Sequence, residues 1–154
     1  MCGLDNLEAL FVISVFLFQI VLIIHFAVRK RVFKVALRYG WIVYWLSVPA
    51  AVVSVLLLSG GKVWWFWLGG FVYLVWAGFG FTVEYVRRIE WRDPIRWPIF
   101  GPYLTLYLAT IMLYWWPLAR ISRPLWIVYA GLFIVSTVLN VTSHQQPQDN
   151  NQPA

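Results

Sequence analysis

Val63 to Arg88 reads Val-Trp-Trp-Phe-Trp-Leu-Gly-Gly-Phe-Val-Tyr-Leu-Val-Trp-Ala-Gly-Phe-Gly-Phe-Thr-Val-Glu-Tyr-Val-Arg-Arg, and this run decides the fold. Its first 24 residues, up to Val86, hold a single charge, Glu84. An α-helix needs about 20 apolar residues to cross the hydrocarbon layer of a bilayer, so the run predicts a transmembrane helix. Trp64, Trp65 and Trp67 mark one interface as aromatic anchors, and Arg87 with Arg88 mark the other.

The whole chain shares that character. Of its 154 residues 62% are hydrophobic and 12% charged, and the charged share is about half that of a soluble domain. Whole segments are apolar on every side, the pattern of helices in lipid and not of amphipathic helices on a soluble core. The net charge of +6 would suggest nucleic acid in a soluble protein. Here the cations fall in short connections between apolar segments, where orientation and anionic lipid explain them, so no nucleic acid partner is expected. Cys2 is the one cysteine, which excludes an intrachain disulfide and a cysteine-based metal site within one chain.

Working outward from 63–86, four further spans are predicted. The first runs from about Leu7 to Val28 and stops at Arg29, Lys30, Arg31, Lys34 and Arg38. The second covers Trp41 to Leu58, with Pro49 near its middle predicting a kink, and Ser59-Gly60-Gly61-Lys62 turns the chain back into the third. Arg87 to Trp97 is the longest polar connection and is expected on the membrane surface. A fourth span is predicted over 98–118, closed by Trp115, Trp116 and Pro117, with a tight turn over 119–124 and a fifth span over 125–141. Residues 142–154, rich in Gln, Asn and Pro, read as a disordered polar tail. Shifting the sequence by 53 residues lays Pro49 on Pro102 and Val75-Trp76-Ala77-Gly78 on Val128-Tyr129-Ala130-Gly131, the trace of a parallel repeat of two hairpins.

Cation counting orients the bundle. The connections after the first and third spans carry nine (Arg29, Lys30, Arg31, Lys34, Arg38, Arg87, Arg88, Arg92 and Arg96), and those after the second and fourth carry three (Lys62, Arg120 and Arg123). The basic side is therefore expected in the cytoplasm, the N-terminus outside and the C-terminus inside. The expected fold is all-α: a polytopic integral membrane helical bundle of five transmembrane helices, one domain over 1–141, in the cell membrane of its source or the inner membrane of a Gram-negative one.

Polar groups inside spans are functional candidates because the bilayer makes them costly. Gln19, His25, Glu84 and Asn140 are the ones here. By the topology above, His25, Glu84 and Asn140 fall near one face and form a candidate polar or ion site. Arg29, Lys30, Arg31, Arg87 and Arg88 are candidate contacts for anionic lipid. Gly70, Ala77 and Gly78 recur along the third span as a close helix-packing face. A bis-histidine haem lacks its second membrane ligand, and no paired carboxylates, HExxH, GxSxG, CxxC or nucleotide-binding glycine loop occurs, so neither catalytic residues nor cofactors nor metals are expected. The sequence thus points to a non-catalytic membrane protein, an accessory or assembly subunit whose partners are lipids and other membrane subunits or further copies of itself. Its alternatives are a small oligomeric transporter or channel using Glu84 and His25, and an inner-leaflet lipid-binding or lipid-modifying protein.

Overall fold

The computed structural model describes residues 5–89 and 95–143. Cys2, the connection around Arg92 and all of the tail beyond residue 143 lie outside them. Among the described residues the chain is helical, and five helices are long and apolar enough to cross a membrane.

α1 (Asn6–Arg31) starts with a capping arrangement. The Asp5 carboxylate accepts the Glu8 backbone N–H at 2.8 Å, with Glu8 in the first turn and Arg29, Lys30 and Arg31 in the last, each charge placed to complement the helix dipole. Two short helices follow, α2 (Phe33–Tyr39) and α3 (Trp41–Trp45), then α4 (Ser47–Ser59). The second span is thus α3 and α4 joined at Leu46, and the break falls three residues before Pro49. That offset is physical: the proline ring crowds the carbonyl four residues back, so the disturbance lies in the preceding turn. Side chains take up carbonyls at the break. The Tyr73 hydroxyl donates to the Val43 carbonyl, and the Ser47 hydroxyl donates to the Tyr44 carbonyl at 2.6 Å. In hydrocarbon no water is at hand for that task, which is why a broken helix here requires neighbours.

α5 (Trp64–Phe81) continues into a π-helical turn, π1 (Thr82–Val86), and together they form the third span. α6 (Trp97–Ile121) carries Pro98 in its first turn, where the missing N–H loses no partner. It then runs through Pro102 and Pro117 to Ile121. The predicted stop at Pro117 is therefore wrong, and so is the six-residue turn over 119–124. Only Ser122 separates α6 from α7 (Arg123–Ser143). The hairpin is closed instead by Trp115 and Trp126, whose rings stack 5.1 Å apart at 3°, while the Trp115 indole N–H donates to the Trp126 carbonyl at 3.2 Å. Residues 142 and 143, read as tail, belong to α7.

α5 is the central helix, with 44% of its apolar window buried against 11% for α7. It packs on α4 and α6, and α7 packs on α1 and α6. The middle of the bundle is filled by aromatic side chains. Phe18 meets Tyr73 at 4.6 Å and Tyr114 at 5.5 Å between ring centroids, and Trp76 meets Tyr107 at 5.4 Å. Edge-on and tilted pairs of this kind add about 0.5–1.5 kcal/mol each beyond the area they bury. Of the two tryptophans that lie deep along the spans, Trp76 is in this core at 2% exposure and Trp45 faces outward at 58%.

At the end opposite Arg87 and Arg88, Lys62 in the α4–α5 turn pairs with Asp5 and, at 2.9 Å, with Glu8. This fastens the start of α1 to that turn. The hydrogen bond donated by Lys62, with the Glu8 N–H behind it, holds the Asp5 carboxyl below its ordinary value, and the hydrogen bonds that Lys62 donates to Asp5 and then to Glu8 hold its ammonium above its own.

Candidate functional site

Glu84 sits on π1, and the π turn is what presents it. Arg87 donates its N–H five residues back to the Thr82 carbonyl at 2.8 Å, and the Thr82 hydroxyl donates to the Gly78 carbonyl at 2.7 Å. Single π turns inside α-helices occur often at functional positions, because they re-aim one side chain without ending the helix. Arg88 then takes a positive φ of 49°, a left-handed conformation that non-glycine residues rarely adopt, and Ile89 donates to the Val83 carbonyl at 3.0 Å to close the helix end.

The half-buried Glu84 carboxylate accepts the Tyr44 hydroxyl at 2.7 Å. Tyr44 itself is buried, with the hydroxyl end of its ring against Gly80: a Cβ at that glycine would come within 2.7 Å of the ring. Tyr44 also lies edge-on to Phe81 and to Tyr85, and those two stack on each other at 5.3 Å and 17°. Gly80, Phe81, Glu84 and Tyr85 thus surround one tyrosine that reaches across from the second span. A carboxylate inside a membrane protein requires such a donor. Tyr44 lies one turn into α3 and Glu84 one turn from the end of its span, so both sit at the same depth, and that shared depth was the signal for the pairing in the sequence.

His25 on α1 reaches the edge of this group. Its Cε1 and the Tyr85 hydroxyl both flank Gly40, where a Cβ would fall 3.3 Å from the first and 2.8 Å from the second. His25 and Glu84 are therefore brought to one quarter of the bundle through Tyr85. Asn140 rides on α7, whose packing partners are α1 and α6, whereas those of α5 are α3, α4 and α6. The three candidate polar residues do not stand on helices that all pack closely together. Arg87 and Arg88 are exposed just past π1, and Arg29, Lys30 and Arg31 form the last turn of α1. Among the described residues no three His, Cys, Asp or Glu side chains gather as a metal-ligand set would.

The packing face of α5 needs one correction. Gly70 is against α4, where a Cβ would be 2.1 Å from the Ser54 hydroxyl oxygen and 2.8 Å from the Ala50 carbonyl, and Ala77 is buried. Gly78 instead faces outward, with nothing within 4 Å of a Cβ built on it. At 3.6 residues per turn, the seven steps from Gly70 to Ala77 return to within about 20° of the same face, and the eighth lands about 80° away. Gly69, against the Tyr114 ring, and Gly80, against Tyr44, are the other close approaches.

Sequence inspection also passed over the work done by Gln19. It is fully buried halfway along α1, and its amide donates to Ser136 Oγ at 2.7 Å and to the Leu132 carbonyl at 3.2 Å, tying α1 to α7. Comparison of the chain with protein-family models, with curated proteins and with solved structures finds no match.

Proposed function

We propose that this chain is a non-catalytic integral protein of the cell membrane, an accessory or assembly subunit that works through the outward faces of its helices. The observation that carries this reading is the closed aromatic middle of the bundle around Phe18, Tyr73, Trp76 and Tyr114, which fills the place where a substrate path or a reacting centre would sit. The polar groups of the spans are spent inside the fold in the same way: Gln19 on Ser136 and Glu84 on Tyr44. What the molecule offers to others is its exterior, broadest on α7, where Ile127, Ile134 and Val138 point outward. Photocrosslinking residues placed at Ile127, Ile134 and Val52 in cells of the source organism test this. Discrete protein adducts from one helix face are expected, and adducts with lipid alone from every position would overturn it.

Orientation belongs to the same proposal. The nine-to-three distribution of cations supports a basic end in the cytoplasm. In a Cys2→Ser background, a cysteine at Gly61 should react with an impermeant reagent in intact cells and one at Arg38 should not; the reverse pattern would invert the topology.

A second reading has its own observation, the Tyr44–Glu84 pair on a π turn. A carboxylate that accepts a tyrosine hydroxyl near a membrane boundary is equipped to exchange a proton or hold a small cation. Proton-coupled flux in vesicles carrying wild type, lost in a folded Glu84→Gln variant, would favour this reading over the first; absence of flux from both would leave the first standing.

A further inference from the structure

We infer that the junction of α1 and α7 at the basic end is a binding site for one anionic phospholipid, with the phosphate on Lys30 and Arg31 and an acyl chain entering between Ala27 and Leu139. These four residues line a cleft of about 460 Å³, within the range of small-ligand sites. It opens because α1 and α7 are tied lower down by Gln19 and Ser136, while near their ends the facing positions are a small side chain, Ala27, and a flexible one, Leu139.

Its charge is one-signed. Among the described residues the carboxylates are Asp5, Glu8 and Glu84; the first two pair with Lys62 at the opposite end, and Glu84 takes the Tyr44 hydroxyl. The second half of α1, α2 and α7 carry no carboxylate. Lys30 and Arg31 therefore supply N–H donors to the cleft with no acidic side chain from the helices that form it. Apolar surface continues from the cleft toward the middle of the helices: exposed Ile24 lies within about 20° of the Arg31 direction on α1, and exposed Val135 within about 40° of Leu139 on α7. Cations above and aliphatic surface below match the two halves of a phospholipid. A free phosphate would use the cations and gain nothing from Ala27 and Leu139, which is why the lipid is the source to which the geometry points. Basic pockets between transmembrane helices are a known means of holding anionic headgroups, and each Lys or Arg near a charged membrane surface raises affinity about fivefold.

The test uses the full chain, purified in a neutral detergent and titrated with phosphatidylglycerol while bound lipid is counted by native mass spectrometry, with phosphatidylcholine as the neutral reference. One phosphatidylglycerol per chain is expected to be retained over phosphatidylcholine. Lys30→Gln with Arg31→Gln should weaken it by roughly 25-fold, and Arg38→Gln, which removes a charge at the same end outside the cleft, by less than twofold. Ala27→Trp, which fills the cleft and leaves every charge in place, should also displace the lipid. Equal losses from Arg38→Gln and from each cleft cation would show diffuse surface attraction and overturn the site. So would retention of the lipid by Ala27→Trp, and so would displacement by inorganic phosphate at concentrations comparable to the lipid's, which would show a free-anion site instead.

Discussion

Two glycines eight residues apart on α5 should respond in opposite ways to the same added methyl group. At Gly70 a Cβ would lie 2.8 Å from the Ala50 carbonyl oxygen and 2.1 Å from Ser54 Oγ. The serine hydroxyl can rotate, but the carbonyl belongs to the backbone of α4. Restoring an ordinary contact of about 3.4 Å requires the two helices to part by about 0.6 Å, and overpacking of that kind costs about 1–3 kcal/mol. At Gly78 the same Cβ meets nothing within 4 Å, so Gly78→Ala keeps every contact and gains helix propensity, worth up to about 1 kcal/mol in water. In a membrane the separated helix stays helical, so the gain falls between zero and that value. The propensity gain is common to both Gly→Ala changes and cancels between them, so the two variants should differ by about 1–3 kcal/mol, with Gly70→Ala the less stable. Reversible unfolding in mixed micelles by added dodecyl sulfate, followed through tryptophan fluorescence, measures the difference. A Gly78→Ala variant that loses as much as Gly70→Ala would refute the placement of α5 against α4.

Other expectations follow from single contacts. Tyr44→Phe removes the hydroxyl shown donating to Glu84 and should cost about 1.5–2 kcal/mol in the same unfolding assay, the lower part of the range for bonds to a charged group because Glu84 is only half-buried. Gly80→Ala, which displaces the Tyr44 ring, should lose most of that bond as well, and additivity of the two changes would disprove the coupling. Ser136→Ala should cost about 0.6–1.7 kcal/mol, from the average to the maximum of hydrogen bonds between membrane helices, while Gln19→Leu, which also removes a buried carbonyl oxygen that accepts no bond, should remain within about 1 kcal/mol of wild type. The tie from Lys62 to Asp5 should be complete between the ordinary values of the two groups, 3.8 and 10.5. Asp5 is depressed, so its contribution is lost as pH falls through its lowered value. Lys62 is raised, so its contribution is lost as pH rises through its elevated one. Hydrogen exchange at the start of α1 should show both edges, and Lys62→Met should flatten them.

The spans were legible because a bilayer makes length and hydropathy sufficient. Leu7–Val28 and Asn6–Arg31 differ only by the turns that the cap at Asp5 and the terminal cations add, features that hydropathy does not report. Pro49 announced a break but not its place, since the ring acts on the preceding turn and the structure breaks at Leu46. Pro117 misled for the opposite reason: within a membrane bundle, neighbouring groups sustain a helix through a proline, and α6 continues to Ile121. Glu84 and His25 were visible as ionisable residues in apolar runs. Tyr44 was not, because a tyrosine near an interface looks like one more belt aromatic until its depth is matched with that of a carboxylate on another helix. Gly78 was misassigned because counting small residues along α5 ignored the 100° advance per residue that separates it from Gly70 and Ala77. The cleft beside Lys30 and Arg31 depends on α7 packing against α1, a contact between the two ends of the chain that no local pattern encodes.

The accessory role meets its most direct test in the native mass of the protein extracted in mild detergent from its own membrane. Association with at least one other membrane subunit, seen as a mass above 18.0 kDa that another polypeptide accounts for, is the expected result. A particle of one 18.0 kDa chain with retained lipid and no second polypeptide, at every detergent concentration that keeps the bundle folded, would contradict it.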